Sequence, residues 1–403
     1  MDQTCIVPGC DYPADSREHV VLSALGGRKK LKGVFCKCSE DREGCNKRLG
    51  DLLDAPLTEA YKPFTTFLNV AGDRSRRRTT GPTLRGVKGE DGRTYDIRGG
   101  GQPKLQKVEV EVSDLPGDKK GVRIVARSPE EAKRLLAAQF KRFGVDPENP
   151  HASIQSANVT HYKGYPTMEI ESISLSSPEH LRAATKMSLA LLAGSTDMVQ
   201  KHAASFADAL DFMNSGAGEA GKLANHNYGT SFPCPQTDRD AMPFDHSVTV
   251  CGEKGKPLVG FVTLFGHFKF TATLSPSAPE TVAVHYEVCP QSGTHETIED
   301  FSFDPAACDS TLFPRCDEAE ILAAFNMAWG KVQKQGGDEG VSAVIEKGLD
   351  LLRQHDGEIV TEELLDKVVR QVSEGMTAHL LRLPQETDVT SSYFEAQEDP
   401  PTA

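Results

Sequence analysis

Apolar and polar positions repeat with different periods along this chain, and the periods predict its elements. From Asn46, Leu49, Leu52, Leu53 and Leu57 recur at helical spacing, an apolar stripe for packing under neighbouring strands. Period-two alternation over Lys107 to Val112 and Gly121 to Ala126 predicts two strands around the turn Leu115-Pro116-Gly117-Asp118. A helix follows, with Ser128 as N-cap, Pro129 at its first position, Glu131 closing a capping box, Leu135, Leu136 and Phe140 at helical spacing, and Gly144 as stop. Two more helices are expected over Pro178 to Ala193 and Thr196 to Met213, each ending at a glycine. Between Asp245 and Pro290 the segments VTV, LVGFVTLF, FKFTATL and VAVHYEV, separated by Gly, Pro and Ser, read as an antiparallel sheet. The C-terminal part is helical over Glu318 to Lys334, Val341 to Gln354 and Thr361 to Arg382, the last with Leu364, Leu365, Val368, Val369 and Val372 on one stripe. The residues after Pro384 are polar and acidic and are expected to be loose.

At 403 residues the chain is long enough for two or three domains. No apolar run reaches the roughly 20 residues of a membrane helix, and the N-terminus lacks the charged start and apolar stretch of a signal peptide. A cytoplasmic location with no membrane partner is the expectation, and there ten cysteines should be thiols or metal ligands rather than disulfides. The net charge of −13 argues against nucleic acid, but it is unevenly spread. Residues 1–88 hold 16 Lys and Arg against 11 Asp and Glu, a net of +5 on a body of −18. A mildly basic head on an acidic body points the head toward a polyanion. The expected domains are a head over 1–78, a linker with room for one hairpin over 79–104, an α+β body over 105–383 and a loose acidic tail over 384–403. The body would regulate, bind targets or assemble into a homo-oligomer, and a fragment from about residue 105 should fold by itself.

The candidate chemistry lies in the first 57 residues. Cys5-Ile-Val-Pro-Gly-Cys10 places two thiols on a tight turn, and Cys36, Cys38 and Cys45 follow. Four thiolates make a closed structural zinc site, which a small charged segment with little apolar core would need in order to fold. The preferred set is Cys5, Cys10, Cys36 and Cys45, with Cys38 as the alternative to Cys36.

Between and after these thiols stand Glu18-His19-Val20, Leu25-Gly26-Gly27, Cys45-Asn46, Leu49-Gly50 and Asp54 to Leu57. In this order and spacing the first 55 or so residues resemble the HNH endonucleases, in the branch with a cysteine pair, Glu-His, a Gly-Gly turn and Cys-Asn. The resemblance implies a ββα-metal fold in a small zinc-stabilised module; the side-chain pattern beyond it predicts a larger mixed α+β body with an antiparallel sheet and a helical C-terminus. It implies His19 as general base, and Glu18 and Asn46 as ligands of a catalytic Mg²⁺ or Mn²⁺. The chain departs from the family pattern at the second strand, where Arg28 to Phe35 contains no Asn to orient the histidine, and in an acidic insertion between Lys37 and Gly44. Asp54, eight residues beyond Asn46, is expected to be a cap or salt-bridge partner.

Arg28, Lys29, Lys30, Lys32, Lys47 and Arg48 flank the motif and would contact DNA phosphates without reading sequence. Arg74, Arg76, Arg77 and Arg78 extend this basic region. His226, His246, His267 and His285, with Cys234, Cys251 and Cys289, show no ligand-like spacing and are read as ordinary residues. The expected function is metal-dependent DNA cleavage, in a head-and-body plan met in bacterial and phage defence proteins. The alternative is a zinc-stabilised nucleic-acid-binding module without catalysis, joined to an interaction domain.

Overall fold

The computed structural model describes residues 3–37, 43–72, 81–89, 91–115, 119–144, 177–218, 220–229, 231–235, 243–309, 316–353 and 361–380. Cys38, Arg74, Arg76 to Arg78 and the tail lie outside them. The chain is mixed α+β and divides into two compact units.

The larger unit comprises residues 1–139 and 167–336. It opens with a short antiparallel pair, β1 (Glu18–His19) and β2 (Lys30–Leu31). Then come α1 (Cys45–Leu49), a wide π turn over Gly50–Asp54, α2 (Ala55–Ala60) and α3 (Lys62–Phe67). Of the expected stripe, Leu49, Leu53 and Leu57 are buried at intervals of four, while Leu52 faces solvent. The connecting segment holds more order than the expected single hairpin, since β3 (Leu84–Lys88), β4 (Thr94–Arg98) and β5 (Gln102–Leu105) form a three-stranded meander. β6 (Glu109–Leu115) and β7 (Lys119–Val125) pair as the alternation predicts. In α4 (Pro129–Arg142) the Ser128 hydroxyl accepts the amide of Glu131 at 3.1 Å while Glu131 reaches back to the amide of Arg127.

α5 (Pro178–Ser195) follows. The expected Thr196–Met213 helix is broken into α6 (Met198–Lys201), a 3₁₀ turn over Ala203–Phe206 and α7 (Ala207–Ser215). Arg182 of α5 donates to the carbonyls of Phe212, Met213 and Asn214, which satisfies the C-terminal end of α7. After α8 (Ala220–Leu223) come β8 (Ala224–His226), β9 (His246–Gly252), β10 (Leu258–Leu264), β11 (Phe268–Ser275), β12 (Val282–Val288) and β13 (His295–Glu299). They form one antiparallel sheet in the order β13-β12-β9-β10-β11-β8, which extends the expected sheet by a strand at each edge.

α5 lies between this sheet and the N-terminal residues, touching β8 to β12 with one flank and β1, β2 and α2 with the other. Small side chains allow the approach, since a Cβ on Gly260 would come within 2.2 Å of Ser188 Oγ and one on Gly194 within 2.6 Å of Leu31. Val20, Val21, Leu25, Phe35, Leu49, Leu53 and Leu57 therefore share one core with Leu189, Leu192, Val248 and Tyr286. The head and the sheet are parts of one unit, and the expected boundary between residues 78 and 105 does not separate their cores.

The smaller unit comprises residues 140–166 and 337–403. The two helices expected from residue 318 are one continuous α9 (Glu318–Arg353), and α10 (Glu362–Leu380) leaves Leu365 and Val369 of its apolar stripe exposed. Among the described residues no helix is long and apolar enough to cross a membrane.

Candidate metal centre and its surroundings

Four cysteines from three separate stretches converge. The Sγ atoms of Cys5, Cys10, Cys36 and Cys45 all lie within 4.8 Å of one another. The first pair sits on a turn closed by the Cys10 amide donating to Val7 O at 3.1 Å, with Gly9 at φ +75° where an L side chain would be strained. The second pair joins the segment after β2 to the start of α1. The Cys45 amide donates to Cys36 Sγ at 3.3 Å, and the Asn46 amide to Cys36 O at 3.2 Å. A thiol accepting an amide at the start of a helix is held where negative charge is stabilised.

This donor set fits zinc. Cys5 and Cys36 are buried, and burial together with the neighbouring Cys36 and Cys10 pushes the Cys45 thiol up to about 11. Burial raises Cys5 as well. Cys5 and Cys45 therefore resist ionisation until a divalent cation compensates the charge, as a closed thiolate site requires. Cys36 is the third member of the set among the described residues, and Cys38 lies outside them.

The Gly-Gly turn docks this module on the sheet. Gly26 has φ +100°, and a Cβ there would come within 2.7 Å of Pro290, while one on Gly27 would meet Val21 O at 1.7 Å. Just ahead of the turn, Leu25 O accepts a bond from His246 Nε2 at 2.8 Å, and His246 Nδ1 accepts the amide of Phe265 at 2.9 Å. These two bonds fix the neutral tautomer with the proton on Nε2. Burial pushes this imidazole down to about 4. Tyr286 Oη accepts the amides of Arg28 and Lys29 at 3.3 and 3.1 Å.

The residues expected to hold a catalytic ion are placed differently from one another. Successive strand residues face opposite sides, so Glu18, paired in register with Leu31, turns into the core, while His19, paired with Lys30, lies on the other side, half-buried and with its Nε2 shielded from solvent. Glu18 is 5% exposed and its Oε1 lies 2.7 Å from Lys186 Nζ, which also lies 2.6 Å from Asp54 Oδ2. Lys186 is 1% exposed, in mid-α5, with its ammonium 5.7 Å from the centre of the Phe35 ring. Burial pushes both carboxyls up, with Lys186 opposing it; burial pushes Lys186 down, and Asp54 and Glu18 outweigh it. Glu18 is thus a member of a buried carboxylate–lysine–carboxylate cluster, with an ammonium where the expected role places a divalent ion. Glu18 and Asn46 do not fit as the two protein ligands of Mg²⁺ or Mn²⁺ in this arrangement. Asp54 is an ion-pair partner, and Asn46 is half-buried at the start of α1.

The basic residues divide in the same manner. Arg28 donates to Ala71 O at 3.1 Å, Lys29 to Thr297 Oγ1 at 2.8 Å, Lys47 pairs with Glu43 and Asp51, and Arg48 bonds Asn214. At least four of the six expected phosphate contacts are therefore engaged within the chain. Lys30 and Lys32 are exposed on and beside β2.

Lys186, His246 and Tyr286 escaped sequence reasoning because their partners are remote in sequence. For Lys186 one signal was available: the lone charged residue within the run Ala183 to Leu192 must be paired if the helix is buried. No protein-family model matches the chain. No curated protein matches it either.

Proposed function

We propose that the N-terminal module acts on nucleic acid as an HNH-type phosphodiester hydrolase with His19 as its general base. The observation that supports this reading most is the four-thiol cluster. It joins the turn at Cys5–Cys10, the β1–β2 pair and α1 in the order that the HNH resemblance implies. On that frame the half-buried His19, its Nε2 shielded from solvent, stands across from the exposed Lys30, with Lys32 two residues on. A neutral imidazole there takes a proton from the attacking water, and the two ammonium groups hold the phosphate. Glu18 acts in this reading as a strut: its ion pair with Lys186 anchors the strand that carries His19. No step is routed through a divalent ion on Glu18.

The reading is tested with supercoiled plasmid and purified protein, in Mg²⁺ or Mn²⁺, native against His19→Ala. Nicking by native protein should fall by roughly 10² or more in the variant, the usual contribution of a positioned base, at unchanged DNA affinity. Native protein that binds but never nicks would overturn it. That outcome would favour a second reading, a zinc-stapled binding module without catalysis, for which the buried Glu18–Lys186 pair is the specific support.

A further inference from the structure

The inner face of the six-stranded sheet meets α5, and a separate apolar cluster covers part of the outer face, formed by Cys251, Val259, Phe261, Ala283 and Cys308 with Phe232, Phe301 and Phe303 packed on it. The Phe232 ring lies 5.0 Å from that of Phe261, which seats the loop 231–235 on the sheet and carries Cys234 to the edge of this cluster. Cys234 is exposed, and its Sγ is 4.0 Å from Nε2 of His285 on β12, a side chain with no exposed surface. The imidazole is held from both ends. Its Nδ1 lies 2.8 Å from Oγ1 of Thr249, its register partner on β9, and its Nε2 lies 3.6 Å from Oε2 of Glu287.

The surroundings favour positive charge on this ring. The Glu287 carboxylate lies beside the imidazole, and Glu296 on β13 stands across from Glu287 on the same face of the sheet. The other register neighbours are the uncharged Thr249 and Ile298. Cys251, two residues along β9, is buried with Cys308 at an Sγ–Sγ distance of 3.5 Å. The nearby cation on the loop side, Lys269, lies over the Phe232 ring at 5.1 Å from its centre. Burial pushes His285 down, but the bonds to Cys234 and Glu287 outweigh it and leave the ring above its ordinary value. An accessible thiol beside an imidazole that a hydroxyl and a carboxylate hold in place is the arrangement that activates sulfur as a nucleophile.

We propose that Cys234 and His285 form a nucleophilic thiol site, a place of covalent modification by soft electrophiles, with Thr249 and Glu287 as positioning residues. The Cys234 proton passes to His285 Nε2. The thiolate then attacks the electrophilic carbon, so that a C–S bond forms, the bond to the leaving group breaks and the leaving group departs with the electron pair. The imidazolium returns its proton to water. The site is independent of the N-terminal chemistry.

The test is the rate of alkylation of Cys234 by iodoacetamide in the full-length, metal-replete protein between pH 5.5 and 9, read by peptide mass mapping. An ordinary thiol with a pKa near 8.5 is only about 1% thiolate at pH 6.5. Native Cys234 should therefore react there at least about tenfold faster than the same residue in His285→Gln. Because His285 is buried, Glu287→Gln and Thr249→Val serve as milder variants. Both should move the pH profile toward that of an ordinary thiol while the melting temperature stays near native. A native profile with a single rise near pH 8.5, unchanged in Glu287→Gln and Thr249→Val, would overturn the proposal, as would a Cys234 that does not react.

Discussion

Replacing Lys186 by methionine isolates the electrostatic part of the buried cluster, because methionine keeps most of the apolar stem and removes only the charge. Two carboxylates, at 2.7 and 2.6 Å from the ammonium, would lose the counter-charge that pairs them. Removing one partner of a buried ion pair costs about 3–5 kcal/mol, since the remaining charge stays buried and uncompensated. The expected loss lies in that range, and most of it should return in Lys186→Met combined with Glu18→Gln and Asp54→Asn, which removes all three charges together. Burial already pushes Glu18 and Asp54 up, and without Lys186 nothing opposes it. The folded single variant therefore binds protons more readily than its unfolded chain, and it should regain stability as pH falls from 7 toward 5. Urea unfolding followed by Trp329 fluorescence reads this out. Trp329 is the single tryptophan of the chain, packed 4.9 Å from the Phe67 ring in the larger unit. A loss under about 1 kcal/mol, or a triple variant no more stable than the single, would refute the reasoning.

His246 should impose the opposite pH dependence on the native protein. It is neutral when folded, with a value near 4 against 6.5 when exposed, so the unfolded chain binds the extra proton. Stability contributed by the neutral form is complete above pH 6.5 and is lost as pH falls toward 4, about 3 kcal/mol in all; His246→Gln should flatten that limb of a urea-midpoint profile, and an unchanged limb would count against the assignment. A fragment starting near residue 105 loses the surface that covers Val248 and Tyr286 and the Leu25 acceptor of His246. It should aggregate or bind a hydrophobic dye, and a monomeric, cooperatively melting fragment would contradict the shared core. Lys30→Glu with Lys32→Glu should weaken DNA binding and lower its salt dependence, while Lys47→Glu, already within reach of Glu43 and Asp51, should change binding less; equal effects in a filter-binding titration would argue against the division of basic residues.

Local signals carried much of the fold. The Ser128–Glu131 capping box, the alternation of β6 and β7 and the four central strands of the large sheet lie where side-chain period and turn residues put them. The thiol set was legible because cysteines in a charged, core-poor segment have few other uses. What the sequence concealed depends on distance along the chain. Glu18 looked like a metal ligand because its neighbour is His19, yet its partner is 168 positions away on a helix whose apolar run gave no reason to look toward the N-terminus. The basic cluster looked continuous for the same reason, since Thr297 and Asn214, which engage Lys29 and Arg48, are far away in sequence. The expected boundary failed because a Gly-rich connecting segment reads as a linker, whereas contacts on either side of it, such as Gly26 against Pro290, decide whether two cores are separate.

The four clustered thiols of the module could hold one metal, and native mass spectrometry of the full-length protein tests that most directly. The account predicts a mass excess of about one zinc per chain, retained on dilution because closed thiolate sites bind strongly enough to drive folding, and lost in Cys10→Ser and in Cys45→Ser together with the low-urea stability of the larger unit. A folded native chain that carries no zinc, and melts as its Cys45→Ser variant does, would contradict it.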